Sequence, residues 1–130
     1  MKVESEKLKG ERMPERDLKK RTQQFALRVI RMYRKLPKTE EARIIGKQVL
    51  RSATSVGANY RSSQRGKSKR DFIAKLAIAE EEADETCYWL ELIIEAEIMS
   101  ATLLDPLLDE AKQITAILTA SGKKAKENEK

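Results

Sequence analysis

The chain has 130 residues, of which 37% are charged and 5% aromatic, and it contains one cysteine and no histidine. This length fits one domain, and the composition is typical of a helical protein with an Ala/Leu/Ile core, not of a β-sandwich or a nucleotide-binding α/β domain. The single cysteine excludes an internal disulfide and a multi-cysteine metal site. The lack of histidine excludes Ser-His and Cys-His catalytic pairs.

The charge is unevenly distributed along the chain. The net charge is +6, but residues 1–70 contain 21 Lys and Arg against 7 Asp and Glu, whereas residues 71–130 contain 6 against 14. Such asymmetry between two halves is typical of proteins with a polyanionic partner. The alternative is that a basic helix packs beside an acidic one, so that most of the charge cancels within the molecule.

Hydropathy along the chain indicates where in the cell the protein is found. The apolar runs are far too short to span a membrane, and the first residues are charged and lack a signal-peptide core. We therefore expect a cytoplasmic protein without membrane contact.

The first helix is predicted over about residues 15–36, after a mobile charged arm at residues 1–14. Its apolar positions recur at helical spacing: Leu18, Phe25, Val29, Met32 and Leu36. The opposite arc is basic and includes Arg28 and Arg31. Pro37 disfavours helix at the residue before it and so ends this element.

The second helix is predicted to begin after Thr39, a favourable N-cap, and to end near Gln64 or Arg65, before Gly66. Small residues recur about one or two turns apart, so a neighbouring helix can approach closely there. We expect this small face to support contacts between subunits of an oligomer. Its candidate interface residues are Gly46, Ala53 and Gly57.

The third helix is predicted from about Lys69 to Glu97, with Ser68 as its cap. One apolar stripe predicts core packing. A second stripe predicts an oligomer interface, unless both stripes belong to one wide buried face. The candidate interface residues of the second stripe are Ile78, Trp89 and Leu92. Between the stripes, Glu82 or Glu85 is predicted to form a buried ion pair with Arg51 of the second helix.

The fourth helix is predicted from about Leu103 to Ala120, with Pro106 in its first turn and Gly122 as its end. Residues 122–130 are then a charged tail. Four helices with short connections predict an all-α fold: an antiparallel, up-down-up-down four-helix bundle over residues 15–121.

The basic residues are the main candidates for function. Lysine and arginine that neutralise phosphates release counterions, which gives sequence-tolerant, salt-sensitive affinity for nucleic acid. Few aromatic residues are available to stack on bases, so base reading is not expected. The candidate nucleic-acid-binding residues are Arg28, Arg31, Arg51, Arg61, Arg65, Lys67, Lys69 and Arg70. No catalytic grouping, phosphate loop or metal-ligand pattern is present, so we expect no enzyme, no cofactor and no metal.

Several segments resemble a known family. They are residues 51–59 (RSATSVGAN), 71–79 (DFIAKLAIA) and 82–90 (EADETCYWL), supported by residues 25–30 (FALRVI) and the Leu36-Pro37 turn. Together they resemble the bacterial four helix bundle protein family, also called S23 ribosomal proteins or 23S rRNA intervening-sequence proteins. The resemblance covers about residues 17–120.

The resemblance implies a ring-shaped homo-oligomer, a pentamer, and an RNA-associated accessory role. A related branch comprises the accessory variability determinants of diversity-generating retroelements, which bind a reverse transcriptase and nucleic acid, and this is the alternative function. A structural oligomer without nucleic-acid binding is the second alternative.

Overall fold

A computed structural model describes residues 14–129 of the chain. Within that range it contains no strand and four helices: α1 (Pro14–Arg34), α2 (Glu40–Ser63), α3 (Lys69–Glu95) and α4 (Ala101–Glu129). The prediction of an all-α chain with four helices is confirmed. The predicted arm lies outside the described residues, apart from Pro14.

The helices form a bundle in which each packs against its two neighbours. α1 contacts α2 and α4, and α3 contacts α2 and α4, whereas the diagonal pairs do not meet within the described residues. Gly46, near the start of α2, lies against Tyr33, near the end of α1, and Gly57 lies against Thr22. This reversed order shows that α1 and α2 are antiparallel, as short connections require.

The predicted apolar positions form the core. Its largest fully buried side chains include Tyr60, Phe25, Leu18, Leu76, Leu90, Ile93, Leu104, Ile114 and Leu118. The second stripe of α3 lies at the edge of this core: Trp89 is half-buried and packs against it, Leu92 is half-buried, and Ile78 is 39% exposed. The two stripes therefore do not share one buried face within the chain.

Side-chain caps begin α2 and α3. The Thr39 hydroxyl accepts the Ala42 N–H at 3.3 Å, and the Ser68 hydroxyl accepts the Asp71 N–H at 3.0 Å. Both capping residues have extended backbone. Each cap satisfies an N–H that has no partner within the helix, as predicted from the sequence.

α3 ends in a left-handed turn. Glu97 has φ 57°, its N–H donates to the Ile94 carbonyl, and the Ile98 N–H donates to the Ile93 carbonyl, each at 2.9 Å. This pair of bonds is the Schellman arrangement, which satisfies the last carbonyls of a helix. The helix therefore ends at Glu95, two residues before its predicted end.

The prediction that Gly122 ends the last helix is wrong. α4 continues to Glu129, and Ala125 is buried one turn beyond the glycine. A glycine inside a helix costs only about 1 kcal/mol relative to alanine. This segment lies beside the first turns of α3, where Ile73 and Ala77 line a groove with Gly122. The packing of α4 against α3 outweighs the low helix propensity, so the predicted tail is mainly helix.

Replacing Gly122 with alanine should raise the free energy of unfolding by about 0.5–1 kcal/mol. An added Cβ there meets nothing closer than a Glu80 carboxylate oxygen, at 4.0 Å. Urea unfolding followed by circular dichroism measures the change. Gly66→Ala is the matched control and should destabilise, because its Cβ would lie 3.0 Å from the Phe72 nitrogen. A loss of stability in Gly122→Ala would show that the helix does end at this glycine.

Candidate nucleic-acid interface

The connection between α2 and α3 carries a cluster of exposed cations. Arg61 is in the last turn of α2, Arg65 and Lys67 are in the loop, and Lys69 and Arg70 are in the first turn of α3. We call these five residues the basic end. Within residues 14–129 none of them forms an ion pair. Their charges are therefore available to an external anion.

Two hydrogen bonds of backbone N–H groups, one to a carbonyl and one to a carboxylate, hold the loop of the basic end in a tight turn. The Gly66 N–H donates to the Ser63 carbonyl at 3.1 Å, and the Asp71 carboxylate accepts the Lys67 N–H at 3.4 Å. At Gly66 a side chain would press against the Phe72 backbone. The small residue lets the chain turn closely, and it leaves the side chains of Arg65 and Lys67 exposed.

Two of these cations oppose the dipole of their own helix. Lys69 and Arg70 lie at the N-terminus of α3, where the partial charge is positive, and only Asp71 opposes them in that turn. Each unfavourable placement costs about 0.3–1 kcal/mol. Residues that break such a rule concentrate at functional sites, and a helix N-terminus favours a bound anion. The arrangement suits a phosphate group.

The end of α4, which the sequence predicts to be a tail, adds further cations to this region. Lys123 and Lys126 line the groove beside Ile73 of α3, close to the basic end. The signal that reveals them is the apolar spacing from Leu118 to Ala125, which continues the helix past the glycine.

Arg51 is held by two carboxylates of α3. Its guanidinium donates to Glu82 at 3.1 Å and also to Glu85. The predicted pairing is confirmed, but the prediction that it is buried is wrong, because the Arg51 side chain is 48% exposed. Solvent weakens such a pair to about 0.2–1 kcal/mol. Arg51 therefore links α2 to α3 and is not a free cation for phosphate.

The Glu85 carboxylate, which holds Arg51, also orients Trp89. The indole N–H donates to Glu85 at 3.0 Å, and its ring meets the Tyr88 ring edge-on with centroids 5.0 Å apart. The indole hydrogen bond and, after it, the Arg51 guanidinium lower the pKa of Glu85, although partial burial opposes them. Trp89 is half-buried, and its contacts with Glu85 and Tyr88 hold its ring in place within the chain.

The small face of α2 is occupied by α1 of the same chain. A Cβ on Gly46 would lie 2.7 Å from Leu36, and one on Gly57 would lie 3.1 Å from Thr22. Ala53 has no exposed surface. The close approach at Gly46 and Gly57 therefore serves the contact between α1 and α2. Gly46 and Ala53 are buried within the single chain, which contradicts the prediction that they contact another subunit. Gly57 is partly exposed, and its contact with another subunit stays a prediction.

Arg28 and Arg31 lie apart from the basic end. They line a groove between α1 and α4, near the end of α1, whereas the basic end lies beside the start of α1. The predicted nucleic-acid set is thus divided among the basic end, the Arg51 pair and this groove. Only the basic end is a compact cluster of cations without an apolar wall.

The cysteine has a structural role, and the described residues offer no metal site. Cys87 is buried, as expected of a core residue, and burial raises the pKa of its thiol. Across the described residues, no group of acidic or cysteine side chains is arranged to hold a metal ion. No helix in that part of the chain is both long and apolar enough to cross a bilayer.

Comparison with known proteins gives one family. The family model of the 23S rRNA-intervening sequence protein matches residues 15–120. A crystal structure at 1.70 Å of a protein of unknown function, from the S23 ribosomal protein family of Bacteroides thetaiotaomicron VPI-5482, is 37% identical with a TM-score of 0.77. The match covers 82% of this chain and 98% of that one. No curated protein matches the chain.

Proposed function

The chain belongs to the 23S rRNA-intervening sequence protein family, and we propose that it is a non-enzymatic, RNA-associated accessory protein. In this proposal the basic end contacts the phosphate backbone. The protein also forms a ring-shaped homo-oligomer, the assembly that the family resemblance implies. The observation that carries the proposal is the set of five exposed, unpaired cations around the α2–α3 connection, within the described residues.

Contact with phosphates alone would let the basic end bind RNA of any base sequence. The aromatic side chains nearest the basic end are not available for stacking, because Tyr60 is buried and Phe72 is half-buried against the core. Stacking on exposed rings is the usual source of base contact with single strands. The basic end therefore suits a backbone of any sequence.

Assembly would multiply a weak site. Each subunit of a ring presents one basic end, so a long RNA that binds one subunit meets the next at high effective concentration. The affinity for a long strand should then exceed that for a short one without any new contact.

The affinity of the protein for RNA should fall steeply with salt. If the five cations each neutralise one phosphate, the slope of log affinity against log salt should be about −3.5, at 0.7 per contact for single strands. Fluorescence anisotropy with short unstructured RNAs of several sequences measures it, and the affinities should be alike across sequences. Absence of binding at low salt, or a slope near zero, would favour a structural oligomer without nucleic-acid binding.

A further inference from the structure

The groove between α1 and α4 combines cations with an apolar wall. Arg28, Arg31 and Lys35 lie on the α1 side, and Met99, Leu103 and Leu107 lie on the α4 side, around a volume of about 380 Å³. Leu103 is 66% exposed, the highest value among the exposed large apolar residues. Within residues 14–129 the three cations have no ion-pair partner. The groove suits a ligand that is both apolar and acidic.

The outer face of α3 has the complementary character. Tyr88 is 53% exposed and lies on the same face as the half-buried Leu92. Exposed carboxylates at Asp84, Glu91 and Glu95 flank these two side chains, and within the described chain none forms an ion pair. This face is thus an apolar strip bordered by negative charge.

We infer that the outer face of α3 in one copy docks in the α1–α4 groove of a second copy, an inference that rests on the oligomer of the proposed function. The two surfaces match in charge and in apolar character. They cannot meet within one chain, because α1 and α3 are diagonal in the bundle. Each copy has one surface of each kind, so the contact is head-to-tail.

The position of both surfaces fits a closed assembly. The groove lies at the end of α1 and the start of α4, which is the end of the bundle where α3 terminates. Tyr88 to Glu95 occupy the last turns of α3. A rotation about an axis along the bundle can therefore bring the surfaces of successive copies together, and a head-to-tail contact closes into a ring when that rotation completes a circle.

This contact also accounts for part of the charge asymmetry of the sequence. If the basic and acidic halves cancelled within one chain, many ion pairs would join them. In the described residues, the ion pairs between helices are those of Arg21 with Glu110 and of Arg51 with Glu82 and Glu85. In the proposed subunit contact, Arg28, Arg31 and Lys35 of one copy pair with Asp84, Glu91 and Glu95 of the next.

Charge exchange across the two surfaces tests the contact. Arg28→Glu with Arg31→Glu, and separately Glu91→Lys with Glu95→Lys, should each weaken assembly at least about tenfold, because like charges then face each other. The four changes combined in one chain should restore the oligomer, since the pairing is re-formed with exchanged signs. All four residues are exposed, so circular dichroism should show the helices intact. Light scattering measures the mass.

The outcomes separate this inference from the proposed function. A monomeric parent would overturn the proposed oligomer and, with it, this contact. An oligomeric parent whose two double variants keep its mass would overturn the contact alone. Dissociation of both variants without restoration in the combined one would show that the surfaces do not face each other. Lys38→Glu with Arg43→Glu, two exposed cations outside the groove, should leave the mass unchanged.

Discussion

Reversing three charges of the basic end, with Arg65→Glu, Lys67→Glu and Arg70→Glu, should weaken RNA binding about 100-fold at 0.1 M salt. Each phosphate contact contributes about 0.7 of a log unit at that salt concentration, so the loss of three contacts removes about two log units. Repulsion by the new carboxylates adds to the loss. The fold should persist, because these side chains are exposed and a glutamate at position 70 suits the N-terminus of α3.

A second triple variant separates the basic end from net charge. Lys38→Glu, Arg43→Glu and Lys47→Glu change the charge by the same amount at the opposite end of α2, where all three side chains are also exposed. This control should bind RNA with nearly the affinity of the parent. Equal weakening in both variants would mean that overall charge, and not the basic end, determines binding.

Replacing Gly46 with leucine should lower the free energy of unfolding by about 2–3 kcal/mol, in the upper part of the usual range for overpacking a well-packed contact. Its first side-chain carbon alone would lie 2.7 Å from a Leu36 methyl and 3.1 Å from the Tyr33 ring. The remaining carbons would push α1 away from α2. Urea unfolding measures the change.

Alanine at the same position is the matched control. Gly46→Ala requires that the flexible end of Leu36 move and that the Tyr33 ring shift by a few tenths of an ångström, and the gain in helix propensity of about 1 kcal/mol offsets this strain. We therefore expect alanine to be close to neutral. A leucine variant as stable as the parent would show that α1 does not pack on this glycine, and Gly46 would then be a candidate for contact between subunits.

The helices could be predicted because local signals and packing agree. Thr39 and Ser68 cap the helices that the sequence predicts them to cap. The predicted core positions of α1 are buried, as is the one just after it: Leu18, Phe25, Val29, Met32 and Leu36. Sequence reasoning misses the extension of α4 because glycine is usual after a helix, whereas here the helix continues and buries Ala125 beyond the glycine. Tertiary packing of this kind is not visible in a local sequence pattern.

The site could be predicted only in part. The basic loop is evident from composition because its cations are contiguous and exposed. Helical spacing placed Arg51 among the cations but did not show that Glu82 and Glu85 hold it while it remains half-exposed. Likewise, the recurrence of Gly46 and Gly57 indicated a close approach but not that α1 is the helix that approaches.

The difference in salt dependence between the parent and the basic-end variant is the most direct test that these cations contact phosphates. The slope of log affinity against log salt counts the phosphates neutralised, so it should change from about −3.5 in the parent to about −1.4 when three of five contacts are lost. The control triple variant should keep the slope of the parent. Parallel lines for the parent and the basic-end variant would contradict the account, because the reversed residues would then contribute no phosphate contacts.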